Sequence, residues 1–131
     1  MTLLQILTDE MRPKQMVDVQ IALFARYGNF CRVYDRPEEA KLYLQKAMDI
    51  LQEMIEEDPY IYEDRLFNVG RAMIHLYIQL KQYSKAKRIA RELREFLCSL
   101  VPADLSREIG IGILDHLVTI MVDEQALEDM V

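Results

Sequence analysis

Apolar residues along this chain recur with the 3.6-residue period of an α-helix, and no stretch makes a convincing strand. Phe24, Tyr27, Gly28, Cys31 and Tyr34 fall at i, i+3, i+4, i+7 and i+10, one face of a helix expected over 14–34. After Asp35-Arg36-Pro37 the period resumes at Ala40, Leu44, Ala47 and Leu51, which predicts a tight turn and a second helix over 37–57. Pro37 suits the first turn of that helix, where an amide N–H would be unpaired in any case, and Glu38 and Glu39 complement its positive end. The same reading gives helices over 60–80 and 83–100, the second ended by Pro102. Asp104 or Ser106 can cap a fifth helix over 104–122, with Ile109, Ile113, Leu114, Leu117, Ile120 and Met121 on a wide apolar face. Residues 2–12 read as a short amphipathic helix through Leu3, Leu4, Ile6, Leu7 and Met11, stopped before Pro13 and serving as a cap or a partner-binding segment. The run Glu56-Glu57-Asp58 before Pro59 opposes the helix dipole and reads as a solvated stop.

Small residues sit where two helices must touch. Gly28 within a helical face costs about 1 kcal/mol relative to alanine, which a neighbouring helix pressed against bare backbone would justify. Ala40 and Ala47 let the second helix lie close to the first. With Ala40 taken as the key alanine of a second helix, Phe24, Tyr27-Gly28, Leu44 and Ala47 fall without gaps on the signature positions of a tetratricopeptide repeat, which this stretch resembles. Cys31 stands where that family prefers tyrosine, and the closing proline is replaced by Gln52. A second copy follows in Tyr83-Ser84-Lys85-Ala86, Ala90 and Leu93, with Tyr77 at the first-helix tyrosine position. The spacing of the two alanines is 46 residues against the family's roughly 34, closer to the extended repeats of kinesin light chains and bacterial peptide-sensing regulators. The resemblance covers roughly residues 21–100. It implies an all-α fold of antiparallel helix-turn-helix pairs, stacked as a short tetratricopeptide-like solenoid with terminal capping helices. The expected layout is a single domain with an N-terminal helix over 1–13, repeats over 14–57 and 59–101, and a C-terminal helix over 103–131.

Composition agrees with long helices: of 131 residues 51% are hydrophobic, and only four are glycine and four proline. That length supports a real core. No apolar run approaches the roughly 20 residues of a membrane span, and no leader with a cleavage site is apparent, so an intracellular, cytoplasmic protein is expected. Cys31 and Cys98 both fall on apolar helix faces and read as reduced, buried thiols, with a disulfide or metal site as the alternative. The formal net charge is −6, yet Lys81, Lys85, Lys87, Arg88, Arg91 and Arg94 gather on the fourth helix. Two readings fit that reversal: a solvated outer face paired with neighbouring carboxylates, or a seat for an acidic protein. Nucleic acid is disfavoured, since no general basic excess or aromatic–basic interleaving is present.

Chemistry is poorly served. His75 and His116 lie on different helices outside any metal-ligand pattern, no glycine-rich loop follows a strand, and Cys31 lacks an evident base. No catalysis, metal or cofactor is expected. In stacked repeats the first helix of each pair lines the concave surface, which would bring Ala22, Ala25, Asn29 and Arg32 beside Asn68, Arg71, His75 and Gln79. Asn29, Arg32, Asn68, Arg71, His75 and Gln79 are therefore the candidate partner-binding residues, with donors suited to a peptide's carbonyls or carboxylates. Asn29 matches an asparagine that clamps a terminal carboxylate in chaperone-tail-binding members of the family, although the companion lysine position is Ala25. The expected function is an adaptor or scaffold that binds a peptide segment, acidic ones included, or a partner helix. The alternative is an assembly subunit, a homo-oligomer built on Ile113, Leu117, Ile120 and Met121 of the C-terminal helix.

Overall fold

The computed structural model describes residues 13–130, which form five α-helices: α1 Pro13–Val33, α2 Pro37–Glu57, α3 Pro59–Gln79, α4 Tyr83–Ser99 and α5 Leu105–Asp129. The helix expected over 2–12 lies outside the described residues. Prolines open α2 and α3, each preset for a first helical turn. The Asp58 carboxylate accepts from the N–H groups of Tyr60 at 3.1 Å and Ile61 at 3.2 Å. It is therefore the N-cap of α3: the acidic run ends α2 at Glu57, as expected, and its last residue alone joins α2 to α3. Asp104 caps α5 in the same way, accepting from the Arg107 N–H at 2.9 Å.

The α1–α2 and α3–α4 turns are built alike. Asp35 and Lys81 both adopt the left-handed conformation, with φ of 60° and 59°. The following N–H then reaches back around the helix end, from Arg36 to the Cys31 carbonyl at 2.7 Å and from Gln82 to the Tyr77 carbonyl at 2.8 Å. The next helix starts at once, through Ala40 N–H to Arg36 O at 3.0 Å and Ala86 N–H to Gln82 O at 3.2 Å. Every partner in the second turn lies 46 residues beyond its counterpart in the first. The helices keep the same step: α1, α3 and α5 begin at Pro13, Pro59 and Leu105, and α2 and α4 at Pro37 and Tyr83.

Connections of one to five residues turn the chain back at each helix end, and each helix packs on the next, with lighter contacts between α1 and α3 and between α3 and α5. The result is an all-α, repeat-like stack. Ala40, Ala47, Ala86 and Ala90 are buried at the closest approaches, and Ile21, Leu44, Leu51, Ile74, Leu76, Leu114 and Met121 fill the interior. Each such large side chain removed from water contributes about 1.5–3 kcal/mol. Gly28 is required by this packing: a Cβ there would stand 2.8 Å from Leu44 Cγ and 3.0 Å from the Leu44 backbone nitrogen. Gly70 meets Leu93 in the second hairpin, where a Cβ would lie 2.8 Å from Leu93 Cδ2.

Three expectations need correction. The fifth helix does not stop near 122 but runs to Asp129, because its last turns are held to the start of α4. Tyr83 Oη donates to Glu128 at 3.1 Å, Lys81 Nζ pairs with Glu128 at 3.2 Å, and Lys87 Nζ donates to Gln125 at 3.1 Å. Cys98 is exposed, since the buried line of α4 runs through Ala86, Ala90, Leu93 and Leu97, and residue 98 is turned about 100° away from it. Finally, Leu117 and Met121 face inward with Gly110 and Leu114, at 6% and 0% exposure, while Ile113 and Ile120 are half-buried. The surface expected to meet another chain is spent largely within this one.

Candidate functional site

The lighter contact between α1 and α3 leaves a groove of about 370 Å³ on one side of the stack. Its floor is apolar and small, with Ala25 of α1, Leu44 of α2, and Val69 and Ala72 of α3. Its walls are polar: Arg26, Asn29 and Arg32 from α1, and Asn68, Arg71 and His75 from α3. Helical spacing explains the gathering. Asn29 and Arg32 are three residues apart on α1, and Asn68, Arg71 and His75 step by three and four on α3, so each set shares one face. Five of the six candidate residues thus line a single cavity. Gln79 stands beyond it as an anchor, its Oε1 accepting from Arg32 Nη1 at 3.4 Å, while Asn29 Oδ1 accepts from Arg32 Nε at 2.9 Å. Ala22 is exposed and outside the lining.

The electrostatics of the groove run against those of the chain. With 22 carboxylate residues against 16 lysines and arginines, a cation should find an acidic neighbour easily. Yet among the described residues no carboxylate lines the groove, and Arg32 is held by two neutral amide oxygens. Among the described residues, neither Arg26 nor Arg71 makes an ion pair. Burial pushes the His75 imidazole below its usual value, and the neighbouring Arg32 and Arg71 guanidiniums push in the same direction. Burial also lowers Arg32. At neutral pH the groove therefore offers three guanidiniums, two amides and a neutral imidazole over an apolar floor. Such a site can accept a carboxylate or similar anion flanked by small apolar groups.

The basic helix behaves differently. Arg94 pairs with Asp115 of α5 at 3.0 Å, Lys81 with Glu128, and Lys85 stands over the Tyr77 ring at 5.6 Å, so much of its charge is met inside the chain. The strongest ion pair is one that sequence reasoning missed. Arg107 of α5 meets Glu63 of α3 through Nε at 2.7 Å and Nη2 at 3.1 Å, with the side chains 9% and 15% exposed. The Pro102 carbonyl and the Tyr60 ring complete its surroundings. A lone arginine in the first turn of a helix with no other lysine or arginine was the one available signal. Among the described residues no cluster of His, Cys, Asp or Glu is placed to hold a metal ion, and no helix is long and apolar enough to cross a membrane.

Comparison of the chain with protein-family models, with curated proteins and with solved structures finds no match.

Proposed function

We propose that this chain is a non-enzymatic interaction module of tetratricopeptide-like type, an adaptor that holds an acidic or carboxylate-bearing peptide segment in the α1–α3 groove. The observation that carries the reading is the set of groove guanidiniums that, among the described residues, have no carboxylate partner in an acidic protein. A peptide carboxylate laid between Arg32 and Arg71 gains charge-assisted hydrogen bonds of about 1.5–3 kcal/mol each. The two turns that repeat at 46 residues, with a glycine admitting a leucine in each hairpin, support the repeat kinship. The unpaired thiols of Cys31 and Cys98 suit a reducing, cytoplasmic setting.

The test uses a fluorescent glutamate-rich peptide with a free C-terminus and its uncharged twin, with glutamine for glutamate and an amidated end. The acidic probe should bind and the twin should not. Arg71→Glu replaces attraction with repulsion on an exposed side chain and should weaken binding at least tenfold, about 1.4 kcal/mol. Arg88→Glu on the basic helix should leave it unchanged. Equal binding of the twin ends the reading, as does loss of binding through Arg88→Glu with Arg71→Glu intact.

A second reading, as an assembly subunit, is favoured by Leu105, Ile109, Leu127 and Met130, which stand 57–82% exposed along α5.

A further inference from the structure

Resting on the groove reading, we propose that His75 is a protonation-controlled contact for the bound peptide. Neutral in the free protein, its imidazole takes up a proton as a ligand carboxylate settles between Arg32 and Arg71, and binding tightens as pH falls. The register of the stack places it there. His75 is 46 residues beyond Asn29, the step that relates α3 to α1, and both line the groove. The hydrogen bond from Arg32 to Gln79 at 3.4 Å shows the same register one turn further along. At 1.5 Å per residue, Arg32 stands about 4.5 Å beyond the level of His75 and Arg71 about 6 Å before it. Arginine side chains reach across both intervals, so a carboxylate held by the two guanidiniums together lies over the imidazole. That imidazole is half-buried and makes no hydrogen bond among the described residues, although one of its nitrogens can donate and the other accept.

The charges around His75 decide its protonation. From α1 it faces Arg32, with Arg26 on the same wall, and on its own helix it faces Arg71. Helix α2 contributes only the apolar Leu44 to the groove, and α4 and α5 line no part of it. Among the described residues, no carboxylate therefore stands opposite the ring. A proton added there would put a third positive charge into a half-buried site that already holds two guanidiniums. Burial and both arginines accordingly keep the imidazole below its ordinary value. A ligand carboxylate reverses the balance, because it offsets the guanidinium charge and accepts a hydrogen bond from the imidazolium. The occupied groove then holds a proton that the free groove releases to solvent. By linkage, a ligand that raises the imidazole's pKa binds the protonated groove more tightly, about tenfold for each pH unit of rise. Glutamate side chains, with an ordinary pKa of about 4.3, keep their charge through the range in which histidine titrates, so the peptide itself does not mask the effect.

Two measurements test this, with the fluorescent glutamate-rich peptide as probe. Its anisotropy from pH 7.5 to 5.5 should show about tenfold tighter binding at the lower end. His75→Gln keeps a neutral donor but cannot take up a proton, and it should give a flat profile. His116→Gln, on an exposed site of α5, should keep the slope. The chain has only two histidines, so the ring protons of His75 are assigned by comparison with His116→Gln. In proton NMR, saturating peptide should move the His75 titration midpoint upward and leave that of His116 in place. Failure of the peptide to bind at any pH in that range overturns the groove reading, and this inference with it. Binding of equal strength at both ends of the range, or weaker binding at pH 5.5, overturns the inference alone and leaves the groove reading standing. An unmoved His75 midpoint, or a His75→Gln variant that keeps the slope, does the same.

Discussion

Three glycines on three helices should respond to the same substitution with three different outcomes. Replacing a mid-helix glycine by alanine gains about 1 kcal/mol of helix propensity and unfolded-state entropy wherever the methyl fits. At Gly112 it meets nothing within 4 Å, so Gly112→Ala should stabilise by about that amount. At Gly70 the obstacle is one terminal methyl, Leu93 Cδ2 at 2.8 Å, with the next atoms at 3.7 Å and 3.8 Å. A leucine rotation relieves it for about 0.5–1.5 kcal/mol, which leaves Gly70→Ala near zero. At Gly28 the methyl would press on Leu44 Cγ at 2.8 Å and on the Leu44 backbone nitrogen at 3.0 Å. Backbone cannot rotate away, so the α1–α2 hairpin must open, and overpacking of about 1–3 kcal/mol outweighs the propensity gain. The net loss for Gly28→Ala is up to about 2 kcal/mol, against a gain of about 1 kcal/mol for Gly112→Ala. Thermal and urea unfolding at low micromolar concentration read the series; for a domain of this size each kcal/mol moves Tm by roughly 3–5 °C. If Gly28→Ala stabilised as much as Gly112→Ala, the close helix approach in the first hairpin would be wrong.

The buried pair should be costly to break and cheap to replace. Glu63→Gln or Arg107→Met alone leaves a charge buried without its partner and should cost about 3–5 kcal/mol, whereas Glu63→Leu with Arg107→Met should recover most of that loss in urea unfolding. Additive costs in that double variant would show that the pair is not coupled. The lowered His75 value means that the unfolded chain takes up a proton more readily than the folded one. Stability contributed by His75 is therefore full above the unfolded value, about 6.5, and falls as pH drops below it. Tm measured from pH 7.5 to 5 should fall further in the wild type than in His75→Gln; parallel curves would refute the shift.

What the sequence made legible was whatever a helical period fixes by itself. Asn29 and Arg32, or Asn68 and Arg71, must share a face once their helices are granted, and the 46-residue step from Ala40 to Ala86 set the two helices side by side. Gly28 announced a close contact because a helix tolerates a mid-face glycine only for a reason. Helix α5 was harder, since it is apolar around much of its circumference and a period cannot choose which apolar side turns inward. That choice is made by the connection at 100–104 and by the bond between Arg107 and Glu63, which lie 44 residues apart with no local motif to join them. It sends Leu117 and Met121 to the core and Leu105 and Ile109 to the surface. Helix α5 also runs past the expected end near 122, because the anchors of its last turns lie further on, at Gln125 and Glu128.

Consecutive residues on α1 serve separate purposes. Successive side chains of a helix point about 100° apart, so Gly28 meets Leu44 of α2, Asn29 lines the groove toward α3, and Phe30 faces outward beside the Tyr34 ring. Packing and ligand binding are therefore separable by point substitution: Phe30→Glu on the outward face should leave an acidic peptide bound, and Asn29→Ala should weaken binding without lowering Tm. They are not separable by insertion. One alanine added after Phe24 advances every later position on α1 by a single residue, rotating all three faces by about 100° against their partners. The glycine would leave Leu44, Asn29 would leave the groove, and a ring would be forced toward α2. A chain that tolerated this insertion with its groove binding preserved would show that α1 is not held in one rotational setting, which the contact at Gly28 requires.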